Sequence, residues 1–356
     1  MEENFWNIGE NSGNDIRNPK LTQVPQRLMF DLYGGCNLRC WHCPRAAAHL
    51  GGQDSCRELV DYVLYEVIPH VRYLRIGGNE FGENLLSKHF NYFLSNLDKT
   101  HLKEVRMVTN LTHLDEDKAK LIAEKLDIID VSLEGTGESY TKIRGYAWEK
   151  FLKNFELLVK AKRSNSKSNL KIYLNTCAFL GNLEILLGLF DLKGLDISQI
   201  NFLELHPRDN TVIHECLWKD PSKTNVYIKK FEQRSRETGI AVWMEFKDKY
   251  SIGNRIKRAL KLQPLRVCHY PWDCISITSE GNVSVCCMLF RIDKVKQYDR
   301  QILDILNSAP FQEFRAKVNS PTPNTECLTC QFKNPVSHEQ VFLELLMKRL
   351  DQQKER

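Results

Sequence analysis

The chain has 356 residues, of which 42% are hydrophobic and 27% charged, with a formal net charge of +5. This composition excludes a disordered chain. The length allows a sizeable core in one large domain or two ordinary ones, and so small a charge gives no argument for nucleic-acid or membrane binding. No apolar run approaches the roughly 20 residues that span a bilayer. The acidic opening MEENFWNIGENSG lacks the apolar stretch of a secretory signal. The expectation is a cytoplasmic protein.

Residues 1–24 are polar and read as an arm. A rhythm of short β-rich runs and longer helix-period runs follows. The strand candidates are Gln26–Tyr33, Val71–Ile76, Glu104–Val108, Ile128–Leu133, Lys171–Thr176 and Gln199–Glu204. Between them lie helix candidates at Glu58–Val67, Ser87–Leu97, Glu116–Leu126, Trp148–Arg163 and Leu183–Phe190. In the fourth of these helices Trp148, Phe151, Phe155 and Leu158 recur at three- and four-residue steps, which makes one buried stripe. Strands separated by helices imply a parallel α/β sheet with right-handed crossovers. Periodicity leaves open whether that sheet is doubly wound or a partial or full barrel. A helix at Ser222–Thr238 and a strand at Ala241–Glu245 close the region. Beyond Pro264 come the short strands Cys274–Thr278 and Val283–Cys287, joined by a Gly turn, and then a helix at Ser337–Gln352. The expected organisation is an arm over 1–24, a barrel-type domain over 25–262, a small metal-stapled unit over 263–335 and a terminal helix over 336–356.

The chain contains 12 cysteines. In a cytosolic chain so many thiols point to metal binding more than to disulfides. Three sit in Tyr33-Gly34-Gly35-Cys36-Asn37-Leu38-Arg39-Cys40-Trp41-His42-Cys43, just after the first strand. Three thiolates on one loop can hold three corners of an iron–sulfur cube, whose irons ordinarily take four cysteines. No fourth cysteine lies at suitable spacing, so one iron keeps an open position, which is what catalysis at a metal needs. The other reading is a zinc site with a distant ligand, His42 being a candidate ligand.

This Cys-x3-Cys-x2-Cys loop resembles that of the radical S-adenosylmethionine (SAM) enzymes. That resemblance implies a partial six-stranded (β/α) barrel over roughly residues 25–205. It implies a SAM-chelating 4Fe–4S cluster on Cys36, Cys40 and Cys43, and cleavage of SAM to a 5′-deoxyadenosyl radical. His42 departs from the family's usual Tyr or Phe. Further motifs follow in order, each after a strand. The first is Gly77-Gly78-Asn79-Glu80-Phe81-Gly82-Glu83-Asn84, similar to the loop that receives the SAM amino group. Glu83 and its rival Glu80 are candidates there, and Asn84 stands where the family has Pro. Next come Thr109-Asn110, with Leu111 in place of Gly, and Ser132-Leu133-Glu134-Gly135, followed by Ile143-Arg144-Gly145. The resemblance makes Gly78, Glu83, Ser132, Arg144 and Asn175 candidate SAM-binding residues.

The second cysteine group ends in Cys327-x2-Cys330, which is metal-ligand spacing. A structural zinc ribbon fits that spacing as well. Cys268, Gly281 and Cys286 resemble the SPASM/twitch extension of radical SAM enzymes. The resemblance implies one auxiliary 4Fe–4S cluster on Cys268, Cys286, Cys327 and Cys330, with Cys287 the alternative to Cys286. The single-cluster layout is similar to that of the deoxy-scyllo-inosamine dehydrogenases and the sugar and aminoglycoside epimerases. It implies hydrogen abstraction from a polyhydroxylated small molecule, ending in oxidation of a secondary alcohol or in epimerisation. In an epimerase Cys287 would be the hydrogen-atom donor; it is equally well a packed thiol. Asp273 and Cys274 are further candidates, and Glu204, His206 and Arg208 would hold substrate hydroxyls. A flavodoxin- or ferredoxin-like electron donor is implied, with no nucleic-acid or membrane partner.

Two other readings stand beside this one. The first is modification of a ribosomal peptide. The second is a zinc-stapled binding protein, for which the basic run Arg255, Lys257, Arg258 and Lys261 can be offered, although the run reads better as the solvated face of one helix and no aromatic residues interleave with it.

Overall fold

The computed structural model describes residues 13–43, 45, 52–192, 194–207, 211–247, 249–250, 267–286, 293–294, 300–324, 327 and 330. The strands are β1 (Arg27–Phe30), β2 (Tyr73–Ile76), β3 (Glu104–Thr109), β4 (Ile128–Ser132), β5 (Lys171–Ala178), β6 (Ile197–Glu204), β7 (Ala241–Met244), β8 (Cys274–Ile277), β9 (Asn282–Ser284) and β10 (Asp293–Lys294). They form one sheet in the order β10-β9-β8-β1-β2-β3-β4-β5-β6-β7. β8 and β1 to β7 run parallel to one another, β9 pairs antiparallel with β8, and β10 pairs antiparallel with β9. The expected run of six strands is therefore extended at both ends, by β7 and by β8. The C-terminal segment adds β8 to the free edge of β1, so it shares the barrel's sheet.

The helices are α1 (Arg57–Tyr62), α2 (Phe90–Asn96), α3 (Glu116–Lys125), α4 (Gly137–Arg144), α5 (Trp148–Ser164), α6 (Pro221–Thr238), α7 (Tyr270–Asp273), α8 (Ile302–Leu306) and α9 (Ala309–Val318). Local chemistry sets their ends. The Asp115 side chain accepts from the Lys118 N–H at the start of α3, and Asp220 does the same for Lys223 at α6, where Pro221 is the first helical residue. α4 and α6 end on Gly145 and Gly239 in the left-handed conformation. Two helix expectations differ from the structure. Glu58–Val67 is α-helical only to Tyr62, then widens into a π turn over Val63–Val67, ahead of Pro69, which has no N–H to give. Leu183–Phe190 forms 3-10 turns over Ile185–Asp191, with Gly188 in the middle of the run.

The two faces of the sheet differ in chemistry. Leu28, Phe30, Leu74, Ile76, Val105, Met107, Ile129, Val131, Ile172, Leu174, Ile200 and Phe202 pack in one core with the helices, including Phe151, Phe155 and Leu158 of α5. The alternate residues face inward and are largely polar. Arg106 and Asp130 form a buried pair at 2.5 and 2.6 Å, and Arg27 meets Asp273 at 2.7 Å. At full burial, side chains such as the phenylalanines of α5 each contribute about 1.5–3 kcal/mol, so the outer face carries most of the stability and leaves the inner face to function.

The described part of the arm docks on the C-terminal segment. The Trp272 indole donates to the Asn18 carbonyl at 2.8 Å, and Asn307 exchanges two hydrogen bonds with the Leu21 backbone. No helix among the described residues is long and apolar enough to cross a membrane. The terminal helix Ser337–Gln352 and the basic run from Arg255 to Lys261 lie outside the described residues.

Candidate functional site

The first cysteine loop leaves the C-terminal end of β1, where barrel folds gather their chemistry. It is pinned from several sides. The Asn84 side chain accepts from the Leu32 N–H at 2.6 Å, and the Trp41 N–H donates to the Ile143 carbonyl at 3.1 Å. The Glu83 N–H donates to the Gly35 carbonyl at 2.6 Å. A Cβ on Gly82 would lie 2.1 Å from the Tyr33 carbonyl oxygen, so only glycine lets the β2 loop lie on the cysteine loop. Asn84 stands in the family's Pro position and does its own work there: it fixes the exit of β1.

The sulfurs receive donors. Cys36 Sγ accepts from the Leu38 N–H at 3.4 Å and from Asn110 Nδ2 at 3.5 Å. Cys40 Sγ faces Arg144 Nη1 at 3.8 Å. Burial pushes the Cys40 thiol up to about 12 and raises Cys36, while Arg144 pulls both the other way. Such thiols give up their protons to a metal, not to water.

Arg144 is itself held. Its Nε and Nη2 donate to Glu134 at 2.5 and 2.7 Å, and both residues are buried. Glu134 also accepts from the Cys177 N–H at 3.3 Å and lies 3.6 Å from His42 Nε2. Burial works against its charge, but Arg144 and His42 outweigh it and keep the carboxyl below its ordinary range. Sequence reading passed over Glu134 except as one letter of Ser132-Leu133-Glu134-Gly135. A carboxylate directly after a strand and ten residues before an arginine was the available signal.

Glu83 is buried, and its carboxylate is engaged. It accepts from the Leu85 N–H at 3.1 Å, Thr109 Oγ1 at 2.8 Å and the Asn110 N–H at 2.6 Å. It therefore ties the loop after β2 to the loop after β3, and an ammonium arriving there meets oxygens that already have donors. Its rival Glu80 points elsewhere and accepts from the N–H and Oγ of Ser279, at 2.8 and 2.7 Å. Glu80 thus joins the barrel to the turn before β9. Burial first, and then Glu80, push the neighbouring Asp31 carboxyl up to about 8. Leu111, in the family's Gly position, keeps the glycine-like backbone with φ +64. Thr109 Oγ1 accepts its N–H at 2.9 Å, and Asn154 donates to its carbonyl at 2.9 Å, so neighbours hold the strained residue.

Gly78 has φ +107 and backs onto Arg75. Ser132 ends β4 in register with Asn175 on β5, and Asn175 Oδ1 accepts from Asn201 Nδ2 at 2.8 Å. Asp273 is tied to Arg27, and Cys274 is packed with Met29, Tyr73 and Tyr270. Glu204 is held by Lys249 and Tyr250, and His206 lies 3.8 Å from Glu245. Cys287 and Arg208 lie outside the described residues.

The second cysteine group gathers from separate segments. Burial pushes the Cys268 thiol up to about 12, and Cys286, Cys330 and Cys327 add to the rise, so those three thiols lie within electrostatic reach of Cys268. Asn319 brackets Cys268, accepting its N–H at 2.9 Å and donating to its carbonyl at 3.0 Å. Among the described residues no three His, Cys, Asp or Glu side chains converge on a single ion. A cube gives each cysteine its own iron atom instead of one shared ion.

Residues 31–202 match the model of the Radical SAM superfamily, and residues 268–331 that of SPASM, an iron–sulfur cluster-binding domain. A probable GTP 3′,8-cyclase of Methanococcus aeolicus is 25% identical over 235 residues, 63% of this chain and 73% of that protein. Streptococcus suis SuiB bound to SAM has a TM-score of 0.62 at 15% identity, over 88% of this chain and 72% of that one. The anSMEcpe enzyme with SAM bound has a TM-score of 0.60 at 18% identity, over 93% of this chain and all of the other. At these identities the two structures share its fold.

Proposed function

We propose that this chain, which carries a radical SAM domain followed by a SPASM domain, abstracts hydrogen from a polyhydroxylated small molecule and completes an oxidation or an epimerisation. As a radical SAM enzyme it takes SAM and a 4Fe–4S cluster on its first domain and an iron–sulfur cluster on its second. When bound, these supply a 5′-deoxyadenosyl radical and a one-electron acceptor. The residues present fit them: Cys36, Cys40 and Cys43 hold the first cluster, and Cys268, Cys286, Cys327 and Cys330 the second.

The observation that supports the cluster-holding part of this reading is the pair of donors aimed at the cysteine sulfurs, Asn110 at Cys36 and Arg144 at Cys40, and the substrate class rests on the resemblance alone. Thiolates that receive N–H donors are stabilised as anions and tuned as ligands. Glu134 orients Arg144, and Glu83 sets the β2 loop against the cysteine loop. Ser132 and Asn175, in register on the inner face, offer polar groups to SAM, and Gly78 lets backbone approach it. Cys268, Cys286, Cys327 and Cys330 would supply one thiolate to each iron of a cluster held there, which would suit that cluster to electron transfer and not to substrate binding. Cys287 is the proposed hydrogen-atom donor in the epimerase form.

The test is incubation of the reconstituted enzyme with SAM and dithionite, then with candidate aminocyclitols and sugars. 5′-Deoxyadenosine must form. One SAM consumed per ketone identifies a dehydrogenase. Solvent deuterium at one carbon, lost in Cys287→Ala, identifies an epimerase. Absence of 5′-deoxyadenosine refutes the reading. Modification of a ribosomal peptide or cyclisation of GTP in the same assay replaces the substrate class and keeps the radical chemistry.

A further inference from the structure

The two cysteine groups belong to opposite ends of the barrel. The first follows the C-terminal end of β1, whereas Cys268 precedes β8, whose first residue, Cys274, is in register with Arg27 at the N-terminal end of β1. β9 runs back antiparallel, with Ser284 opposite Ser276, and so returns Cys286 towards the level of Cys274. The inner face of the barrel lies between the two groups, and Tyr270 reaches into it from the second.

Tyr270 opens α7, two residues after Cys268. Its backbone N–H donates to Cys268 Sγ. The Leu38 N–H makes the same bond to Cys36 Sγ, at 3.4 Å and the same two-residue spacing. One sulfur in each group is therefore held by the same local turn. The turns part at the side chain. Leu38 is aliphatic, whereas the ring of Tyr270 is buried with Met29, Tyr73 and Cys274, and Cys268 packs against that cluster. These are inner-face positions of β1, β2 and β8, alternating with Leu28, Leu74 and Ile275 of the outer core. The Tyr270 hydroxyl donates to Met29 Sδ at 3.2 Å and lies within hydrogen-bond reach of the Cys274 sulfur. Few torsions separate a tyrosine hydroxyl from its own N–H, so anchoring one end directs the other.

We propose that Tyr270 is a positioning residue for the second cluster: its hydroxyl, anchored on Met29 inside the barrel, aims its N–H at Cys268 and so helps to set the potential of a cluster held there. The assignment rests on the cluster reading above and adds a residue to it. A donor on the sulfur favours the more negative, reduced form, and hydrogen bonds to the sulfurs are among the levers that set an iron–sulfur potential. A residue of the barrel wall, Met29, thereby acts on a site whose ligands all come from the C-terminal segment.

The test is a dye-mediated redox titration, read by electron paramagnetic resonance, of the full reconstituted chain carrying Cys36→Ala, Cys40→Ala and Cys43→Ala, so that the second cluster is titrated alone. Tyr270→Phe, added to that parent, should make one-electron reduction about threefold less favourable, a fall of about 28 mV at about 59 mV per tenfold. Met29→Leu, which keeps the bulk and removes the sulfur acceptor, should shift the potential the same way and by no more. The two together should add little to Tyr270→Phe, because both act through one hydroxyl. Iron content and thermal midpoint report whether each variant keeps its cluster and its fold. If Tyr270→Phe loads no cluster, Met29→Leu carries the same prediction. The proposal is overturned by an unchanged potential, by shifts that add in full, or by a lowered midpoint with no change in potential, which is the pattern of a packing role. If the parent takes zinc in place of the second cluster, the cluster reading itself fails. If the cluster loads and its potential ignores both variants, this assignment alone fails.

Discussion

The two cysteine groups are built in opposite ways. Cys36, Cys40 and Cys43 lie on one loop, held by Asn84, Ile143, Asn110 and Arg144 from the ends of neighbouring strands and helices. Cys268, Cys286, Cys327 and Cys330 come from segments that meet only through tertiary closure, with β8 on the edge of β1 and Asn319 bracketing Cys268. The first site is preorganised by the barrel. A metal held by the second would supply much of its closure, because ligation would join segments whose approach costs chain entropy.

That contrast predicts unequal responses to ligand loss. Cys40→Ala should bring 5′-deoxyadenosine formation below detection and remove about four irons per chain, with little change in thermal midpoint. Cys268→Ala should abolish substrate turnover, allow SAM cleavage to continue, and lower the thermal midpoint more than Cys40→Ala does. Equal midpoints for the two variants, measured by anaerobic scanning fluorimetry, would break the comparison.

Glu134→Gln sharpens it on the barrel side. It removes the charge that orients Arg144, and losing an orienting partner of this kind typically costs 10- to 100-fold in metal affinity or activity. Breaking so buried a pair also costs about 3–5 kcal/mol. The readouts are SAM cleavage and iron retention after chelator challenge, and the SPASM cluster should not change.

The smallest expected effect concerns the seam between the two units, where Asp31 lies beside Glu80, which Ser279 holds. Burial and Glu80 raise Asp31 to about 8. The native chain keeps this proton over a range in which the unfolded chain has released it. The group's contribution to stability is therefore full below the unfolded pKa of about 4 and is lost as pH rises through about 8. Wild-type stability should fall between pH 5 and 8, and Asp31→Asn should make that fall shallower in anaerobic denaturant titrations. An unchanged slope contradicts the assignment.

What the sequence made legible follows from the range of each interaction. The first cysteine loop, the strand-end motifs and the apolar stripe of α5 are local patterns, and periodicity and spacing carry them. The Glu134–Arg144 fork was split between two motifs, and nothing in either half announces that they meet over Cys40. Asn84 and Leu111 looked like departures from a pattern. The first pins the exit of β1 with its own amide, and the second keeps a glycine's backbone because Thr109 and Asn154 hold it. The pairing of β8 with β1 spans most of the chain, so the C-terminal unit read as separate until register joined it to the sheet.

The most direct measurement of the central claim is iron, sulfide and zinc per chain after anaerobic reconstitution. The account predicts about eight irons, as many sulfides and no zinc, with half of each lost in Cys40→Ala. About four irons with zinc in the remainder, or zinc alone, would contradict it.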